Sequence, residues 1–263
     1  MKRARLLRVA LVVAIVAAAV AVPLLRTPAH DVRAAADSSF ASLGNGPRAA
    51  FAPGRPKLLR HAAAAYRWAT VIHRVTALRA PDGGAPLATL TTLTPEGTTN
   101  LVLILGDTSR HGREWVHIRL PILPNNTTGW VPRSALGGYQ FVTTHLLIDL
   151  HRLRATLFRD GHPVFTAPVG VGQPQSPTPR GEFYVRDKLT DYASPFYGPV
   201  AFGTSARSAV LTDWPDGGFV GIHGTNAPQL IPGRVSHGCI RLRNPDILRL
   251  AKLMPVGTPL TIK

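Results

Sequence analysis

The chain of 263 residues has room for one large or two small domains, so the size of its core excludes no globular architecture. Its 24 glycines and 24 prolines, among many short runs of Val, Ile, Leu, Thr and Phe, favour a mainly β protein over a helical one. The formal net charge of +16 indicates an anionic setting: nucleic acid, anionic lipid or an anionic cell-envelope polymer. Because the basic residues are spread along the chain instead of forming one run, nucleic acid is not an expected partner.

The N-terminus predicts export. A basic start, "MKRARLLR", precedes the uncharged apolar stretch from Val9 to Leu25. As a helix, this stretch would be roughly 26 Å long, near the lower limit for crossing a bilayer. Residues 1–26 are therefore predicted to be a signal peptide or a single membrane anchor, with the rest of the chain on the extracytoplasmic face of the cell envelope. Ala34-Ala35-Ala36 fits a cleavage site, so both alternatives stay open.

Residues 27–66 are rich in Ala, Pro, Arg and Gly, which is typical of a linker. Residues 67–138 are predicted to form a small β domain, because the runs "VIHRVTALR", "LVLIL" and "EWVHIRL" are separated by turn sequences. Its ending, "NNTTGWVPRSAL", resembles the Gly-Trp-Val close of bacterial SH3-like modules. A module that binds wall polymer and a spacer without a ligand are equally good interpretations.

Residues 139–263 are predicted to form a second, mostly β domain with one or two short helices. Asp160-Gly161 predicts a hairpin turn between "ATLFR" and "PVFTAPV". Near the C-terminus, Asn244 is predicted to cap a helix that has Pro245 at its first position and ends before Pro255. A closing strand, "TPLTIK", follows.

The stretch "RVSHGCIRLRN" contains Cys239, the one cysteine of the chain, which therefore has no disulfide partner within it. It is an apolar filler, a metal ligand or a nucleophile. His223, His237 and Cys239 could ligate zinc, but no fourth ligand is apparent, so neither a metal nor another cofactor is expected.

The neighbours of Cys239 favour the nucleophile. His223 ends the apolar run "FVGIH", and a nearby imidazole helps a thiol to form the reactive thiolate. The Gly224 carbonyl is a candidate acceptor for orienting that imidazole. Gly238 permits a sharp backbone turn that would aim consecutive N–H groups at an oxyanion. Arg241, on the same side of an extended strand as Cys239, could hold a substrate carboxylate.

Together, "IHGT" and "SHGCIRL" resemble the signature of the L,D-transpeptidases, the family with the YkuD-type catalytic domain. "SPTPRGEF" and "IDLHRLRATLFRDGHPVFTAPVGVG" resemble the loop and the opening strands of the same domain. The resemblance covers roughly residues 141–263. It implies a YkuD-type β-sandwich and cysteine acyl transfer on the tetrapeptide stems of peptidoglycan, with release of D-Ala and crosslinking of third-position residues.

The resemblance also implies residue roles. Cys239 would be the nucleophile and His223 its base, with the Gly224 carbonyl fixing the tautomer. The N–H groups of Gly238 and Cys239 would form the oxyanion hole, and Arg241 would pair with a stem carboxylate.

Four other residues have open roles. Ser236 and His237 would shape the turn or contact substrate. Tyr197 and Phe196, in "SPFYGP", would form a flap over the cleft or simply pack.

Two further functions use the same sequence features. Water instead of an amine could resolve the thioester, which would make the protein an L,D-carboxypeptidase. Alternatively, the protein could bind the cell wall without catalysis, although an intact His223, Gly238 and Cys239 argue against this. The expected partners are donor and acceptor stem peptides, and anionic envelope polymers or lipids also fit the charge.

Overall fold

The computed structural model describes residues 65–190, 194–211 and 218–263. The predicted anchor (1–26) and the predicted linker (27–66), as far as residue 64, lie outside these residues. Within the described part of the chain, no helix is long and apolar enough to cross a membrane.

The described chain forms two sheets. The first sheet has seven strands in the order β3-β2-β6-β5-β4-β1-β7. Its strands are β1 (Tyr66–Thr70), β2 (Val75–Leu78), β3 (Pro86–Leu90), β4 (Leu101–Arg110), β5 (Arg113–Arg119), β6 (Thr128–Pro132) and β7 (Gln140–Val142). The run "EWVHIRL" is a strand with a buried face, as predicted, because Val116, Ile118 and Leu120 are all at most 2% exposed.

The second sheet has ten strands in the order β10-β9-β8-β17-β12-β13-β14-β16-β11-β15. Its strands are β8 (Thr144–Asp149), β9 (Arg154–Arg159), β10 (His162–Pro168), β11 (Gly170–Gly172), β12 (Gly181–Leu189), β13 (Ala201–Arg207), β14 (Phe219–His223), β15 (Gly233–Ser236), β16 (Ile240–Arg241) and β17 (Pro259–Ile262). The mainly β fold class is thereby confirmed. The SH3-like character of the first sheet stays a prediction.

One α-helix, α1 (Asn244–Leu253), occurs in the described residues. Ile247, Leu250 and Ala251 are buried, and their spacing puts them on one face that packs into the core of the second sheet. Short 3-10 helices occur at Arg133–Ala135, Pro195–Tyr197 and Pro228–Leu230.

The predicted hairpin turn is confirmed at Asp160-Gly161. Both residues have positive φ, 52° and 80°, as the tight turn between β9 and β10 requires. Strand β7 pairs with β1 in the first sheet, although its residues fall within the predicted second domain. The predicted domain division itself stays a prediction.

Strand β12 is buried on both of its faces. Phe183 and Val185 belong to the core of the second sheet, whereas Tyr184 packs with Leu101 and Leu103 of β4. The Tyr184 hydroxyl donates to the Leu101 carbonyl at 3.2 Å, and burial raises the pKa of Tyr184 to about 12. The alternating side chains of one strand therefore join the two sheets.

Trp68 of β1 and Gly257 form a second contact between the sheets. Gly257 has φ +78°, and a Cβ added there would come within 2.5 Å of indole atoms of Trp68. Only a glycine therefore fits this position, for both steric and conformational reasons.

We expect Gly257→Ala to destabilise the protein more than Gly161→Ala. Gly161 has nearly the same φ, +80°, but open space around it, so its replacement adds only the backbone cost of about 1–2 kcal/mol. Gly257→Ala adds the overlap with Trp68, worth about a further 1–3 kcal/mol. Urea unfolding of the two variants measures the difference, and equal free energies of unfolding would show that Trp68 does not pack closely on Gly257.

Candidate active site

Parallel pairing of β14 with β16 brings the two predicted catalytic side chains together. Ile222 is paired with Ile240, and His223 with Arg241. Cys239, just before β16, therefore lies beside Gly221 of β14, whose N–H points to the Cys239 Sγ at 3.4 Å. A Cβ added at Gly221 would lie 3.7 Å from the His223 Cδ2 and 3.9 Å from the Cys239 Sγ, so the ring and the thiol flank this glycine.

A cavity of about 390 Å³ opens in front of these residues. Its lining is Phe196, Tyr197, Ser208, Leu211, Gly218, Phe219, Val220, His223, His237, Cys239 and Arg241. The structure thus gathers five of the eight predicted site residues in one pocket. The other three, Ser236, Gly238 and Gly224, do not line it.

The His223 imidazole is held by a backbone acceptor, as the sequence predicts. Its Nδ1 lies 2.7 Å from the Gly224 carbonyl oxygen. Because a carbonyl only accepts, Nδ1 carries the proton and Nε2 keeps its lone pair in the neutral ring. Burial, together with a smaller effect of the Arg241 charge, lowers the pKa of His223 to about 4, although the Gly224 hydrogen bond acts in the opposite direction. The imidazole is therefore neutral at pH 7.

The turn after His223 is supported by Asn244. The Asn244 Oδ1 accepts the Thr225 N–H at 2.9 Å, and the Gly224 N–H donates to the Val200 carbonyl at 3.3 Å. The prediction that Asn244 caps α1 is therefore wrong. Arg243 is the N-cap, with no side-chain cap hydrogen bond, and Asn244 is the first residue of α1, with its side chain used by the turn.

The turn before Cys239 is held by Ser236 and Thr178. The Ser236 Oγ accepts the Gly238 N–H at 3.1 Å and donates to the Cys239 carbonyl at 2.6 Å. The Thr178 Oγ1 donates to the Gly238 carbonyl at 2.8 Å. Gly238 has φ +121°, a backbone conformation that glycine tolerates best.

The geometry of this turn bears on two predicted roles. Ser236 is 0% exposed and its hydroxyl bonds within the turn, which fits the turn-shaping alternative. The Gly238 N–H already donates to the Ser236 Oγ, so this geometry does not offer it to an oxyanion. Thr178 lies in the quoted stretch "SPTPRGEF", but nothing local in the sequence shows that its hydroxyl reaches Gly238, 60 residues away.

The Cys239 thiol is partly exposed to the pocket. Burial raises its pKa, whereas the Gly221 N–H and the Arg241 charge act in the opposite direction. The resting site therefore contains a neutral thiol and a neutral imidazole.

The remaining predicted residues form the wall and rim of the pocket. The Tyr197 ring meets the His223 ring nearly edge-on, with 4.7 Å between centroids, and Phe196 is 68% exposed. The Arg241 Nε is buried without a hydrogen-bond partner among the described residues. Those residues contain no group of three or more His, Cys, Asp or Glu side chains suited to a metal ion.

The part of the chain that carries this pocket is similar to a known family of domains. Residues 143–262 match the model of the YkuD family, described as "L,D-transpeptidase catalytic domain". The family model and the curated relatives together support a YkuD-type L,D-transpeptidase catalytic domain in this part of the chain.

Individual relatives are also named as L,D-transpeptidases. The putative L,D-transpeptidase YkuD of Bacillus subtilis is 34% identical over 118 residues, which are 45% of this chain and 65% of the relative. The probable L,D-transpeptidase YbiS of Escherichia coli K12 is 33% identical over 131 residues, covering 43% of this chain and 42% of the relative. The chain thus spans less than two thirds of the length of either relative.

A solved structure, the catalytic domain of the Enterococcus faecium L,D-transpeptidase, is 27% identical. The aligned region covers 46% of this chain and 96% of that domain, with a TM-score of 0.36.

We expect the alkylation rate of Cys239 to rise about tenfold per pH unit between about pH 6 and pH 8, because the thiolate fraction grows that way below the raised thiol pKa. Intact mass after timed reaction with iodoacetamide measures it, and the single cysteine makes the adduct unambiguous. Cys239→Ala is the control and should gain no adduct. A rate that stays constant from about pH 5 to pH 8 would instead reveal a preformed thiolate–imidazolium pair.

Proposed function

We propose that the protein is a peptidoglycan L,D-transpeptidase that acts on tetrapeptide stems. The observation that carries the proposal is the pocket in which the Cys239 thiol lies beside a His223 ring whose tautomer leaves Nε2 free to accept a proton. The names of the relatives support the reaction class, L,D-transpeptidation. The substrate, the tetrapeptide stem, is what the motif resemblance implies.

In the first half-reaction, the Cys239 sulfur bonds to the carbonyl carbon of the third stem residue while its proton moves to the His223 Nε2. The resulting imidazolium then donates that proton to the nitrogen of the terminal D-Ala as the carbon–nitrogen bond breaks. A thioester and free D-Ala result. In the second half-reaction, the amine of a neighbouring stem attacks the thioester, His223 removes a proton from this amine, and the thiol is regenerated.

The neutral resting pair suits this sequence. Because burial lowers the pKa of His223 to about 4, the imidazolium is a strong acid, able to protonate a poor amine leaving group. The Gly224 carbonyl stabilises that imidazolium through Nδ1–H. The Cys239 N–H is the backbone donor retained for the developing oxyanion, because the Gly238 N–H is used by Ser236.

Arg241 supplies the positive charge for a stem carboxylate. Its guanidinium lines the pocket, and its buried Nε has no hydrogen-bond partner in the described part of the chain. The Arg241 charge acts on both His223 and Cys239, so a carboxylate bound beside these residues would be attracted to it. His237 and Tyr197, on the same pocket wall, complete the proposed substrate contacts.

The proposal also places the protein at the extracytoplasmic face of the envelope, where its substrate lies. The basic start and the apolar stretch that follows support an anchor or a cleaved signal peptide, and the charge of +16 suits anionic envelope polymers or lipids. The division into an SH3-like module (67–138) and a catalytic domain (139–263) belongs to the same proposal.

The protein from about residue 37 onward, incubated with disaccharide-tetrapeptide, should yield a dimer that has lost one D-Ala, detected by mass spectrometry. Cys239→Ala should yield none, because the thioester cannot form. Release of D-Ala without a dimer would replace this function with that of an L,D-carboxypeptidase. Unchanged substrate in the presence of excess acceptor would favour wall binding without catalysis.

We expect Arg241→Gln to lower kcat/KM for the tetrapeptide donor about 10- to 100-fold, because a charge-assisted hydrogen bond to the substrate is lost. Arg249→Gln is the matched control, since that arginine is 61% exposed and lies on α1, away from the pocket lining. Steady-state kinetics with both variants give the comparison. Equal kcat/KM values for Arg241→Gln and Arg249→Gln would remove Arg241 from the substrate contacts.

A further inference from the structure

The aromatic side of the pocket is packed against two arginines. Phe219 lines the pocket, and the guanidinium carbons of Arg186 and Arg207 lie 4.0 and 4.5 Å from its ring centroid. Arg186 is on β12, and Arg207 is paired with Phe219 across the β13–β14 ladder. The position of this ring therefore depends on where the two guanidinium groups are held.

Arg186 is held from the first sheet. It is only 2% exposed, and its Nη2 lies 3.4 Å from the Oε2 of Glu96, in the turn between β3 and β4. Its Nε and Nη1 have no hydrogen-bond partner among the described residues. A buried guanidinium needs a counter-charge, and Glu96 is the carboxylate paired with it here.

The same turn also reaches the residue that follows Arg186. Asp187 accepts the Gly203 N–H at 2.7 Å and a longer hydrogen bond, 3.4 Å, from the Thr98 hydroxyl. Burial raises the pKa of Asp187, the Glu96 charge raises it further, and Arg186 lowers it. The turn that contains Glu96 and Thr98 is thus fastened to β12 at two successive residues.

Arg207 is held by a different turn of the first sheet. The Asn125 side chain accepts the Arg207 N–H at 3.0 Å and donates to the Arg207 carbonyl at 2.7 Å. Asn125 lies between β5 and β6, so one turn of the first sheet holds the Arg186 side chain and another holds the Arg207 backbone beside Phe219.

We propose that the first sheet is a positioning element of the active site. Glu96, through Arg186, and Asn125, through Arg207, set the place of the Phe219 ring and thereby the width of the pocket beside Cys239. The effect on binding of the donor stem rests on the proposed function. The effect on the shape of the pocket is independent of that function.

The test measures the shape of the pocket through Cys239 itself. Chloroacetamide and N-phenylchloroacetamide carry the same reactive group, so the ratio of their alkylation rates reports on space near the thiol. In Glu96→Gln, we expect this ratio to change at least about threefold, within the range by which remote positioning residues alter coupled sites. Asp107→Asn is the matched control, because it removes an exposed acid of the same sheet whose partner, Arg67, makes no cation–π contact with Phe219 in the described part of the chain. Its ratio should stay at the wild-type value.

Further variants separate positioning from general loosening. The double variant Glu96→Gln/Phe219→Leu should show the ratio of Phe219→Leu alone, because both changes act through the same ring. Asn125→Ala should also change the ratio of alkylation rates at least about threefold. If Glu96→Gln does not fold, Asn125→Ala tests whether the first sheet positions Phe219. An unchanged ratio in the folded variants, or full additivity in the double variant, would overturn the proposal.

Kinetics with the tetrapeptide donor form the second arm. Glu96→Gln should raise KM about threefold and change kcat by less than about twofold, because the chemical groups are untouched. If the wild-type protein leaves the tetrapeptide unchanged, the proposed function fails, yet the alkylation ratio still decides whether the first sheet positions Phe219.

Discussion

The site depends on the parallel pairing of β14 with β16. This short ladder brings His223, at the end of β14, and Cys239, just before β16, to the same pocket. A 3-10 helix and β15 separate the two residues along the chain. Ile222 and Ile240 are both 0% exposed, so burial in the core stabilises the register. A slip by one residue would turn the thiol away from the imidazole, and the hydrophobic core opposes that slip.

Burial also determines the charge state of the site. Because both side chains lie where charge is poorly solvated, the pKa of His223 is lowered and that of Cys239 is raised. A neutral pair avoids the cost of two buried ions in the resting protein. The Gly224 carbonyl is already placed to stabilise a positive charge on the His223 ring, and the Gly221 N–H points to the Cys239 sulfur.

Local patterns were enough to predict a large part of the fold. Alternation in "EWVHIRL", the Asp160-Gly161 turn and the helix after Arg243 all follow from residues near one another in sequence. That Cys239, His223 and Arg241 lie in one site was predicted from a sequence motif and not from hydrophobic periodicity. Whether the first sheet is an SH3-like module stays a prediction.

The remaining features depend on contacts that no local pattern encodes. Asn244 has the sequence of a helix cap, but a backbone N–H from a distant turn takes its side chain. The sequence leaves Ser236 with two roles, shaping the turn or contacting substrate, and in the structure its hydroxyl closes the turn that precedes the thiol. The link from Glu96 to Phe219 joins residues of different sheets. In each case a polar group satisfies a buried partner, and the partner is known only once the chain has folded.

Strand β12 has a consequence for where the protein can be cut. A fragment beginning at the start of the family match, residue 143, would keep Cys239 and His223 but lose the strands that cover Tyr184. It would bring Tyr184 and Val256 to the surface and leave the Arg186 guanidinium without its carboxylate. Such a fragment would expose a new apolar surface, and the buried, unpaired Arg186 charge would lower its stability. The residues matched by the family model therefore do not include all of those that cover the buried side chains of β12.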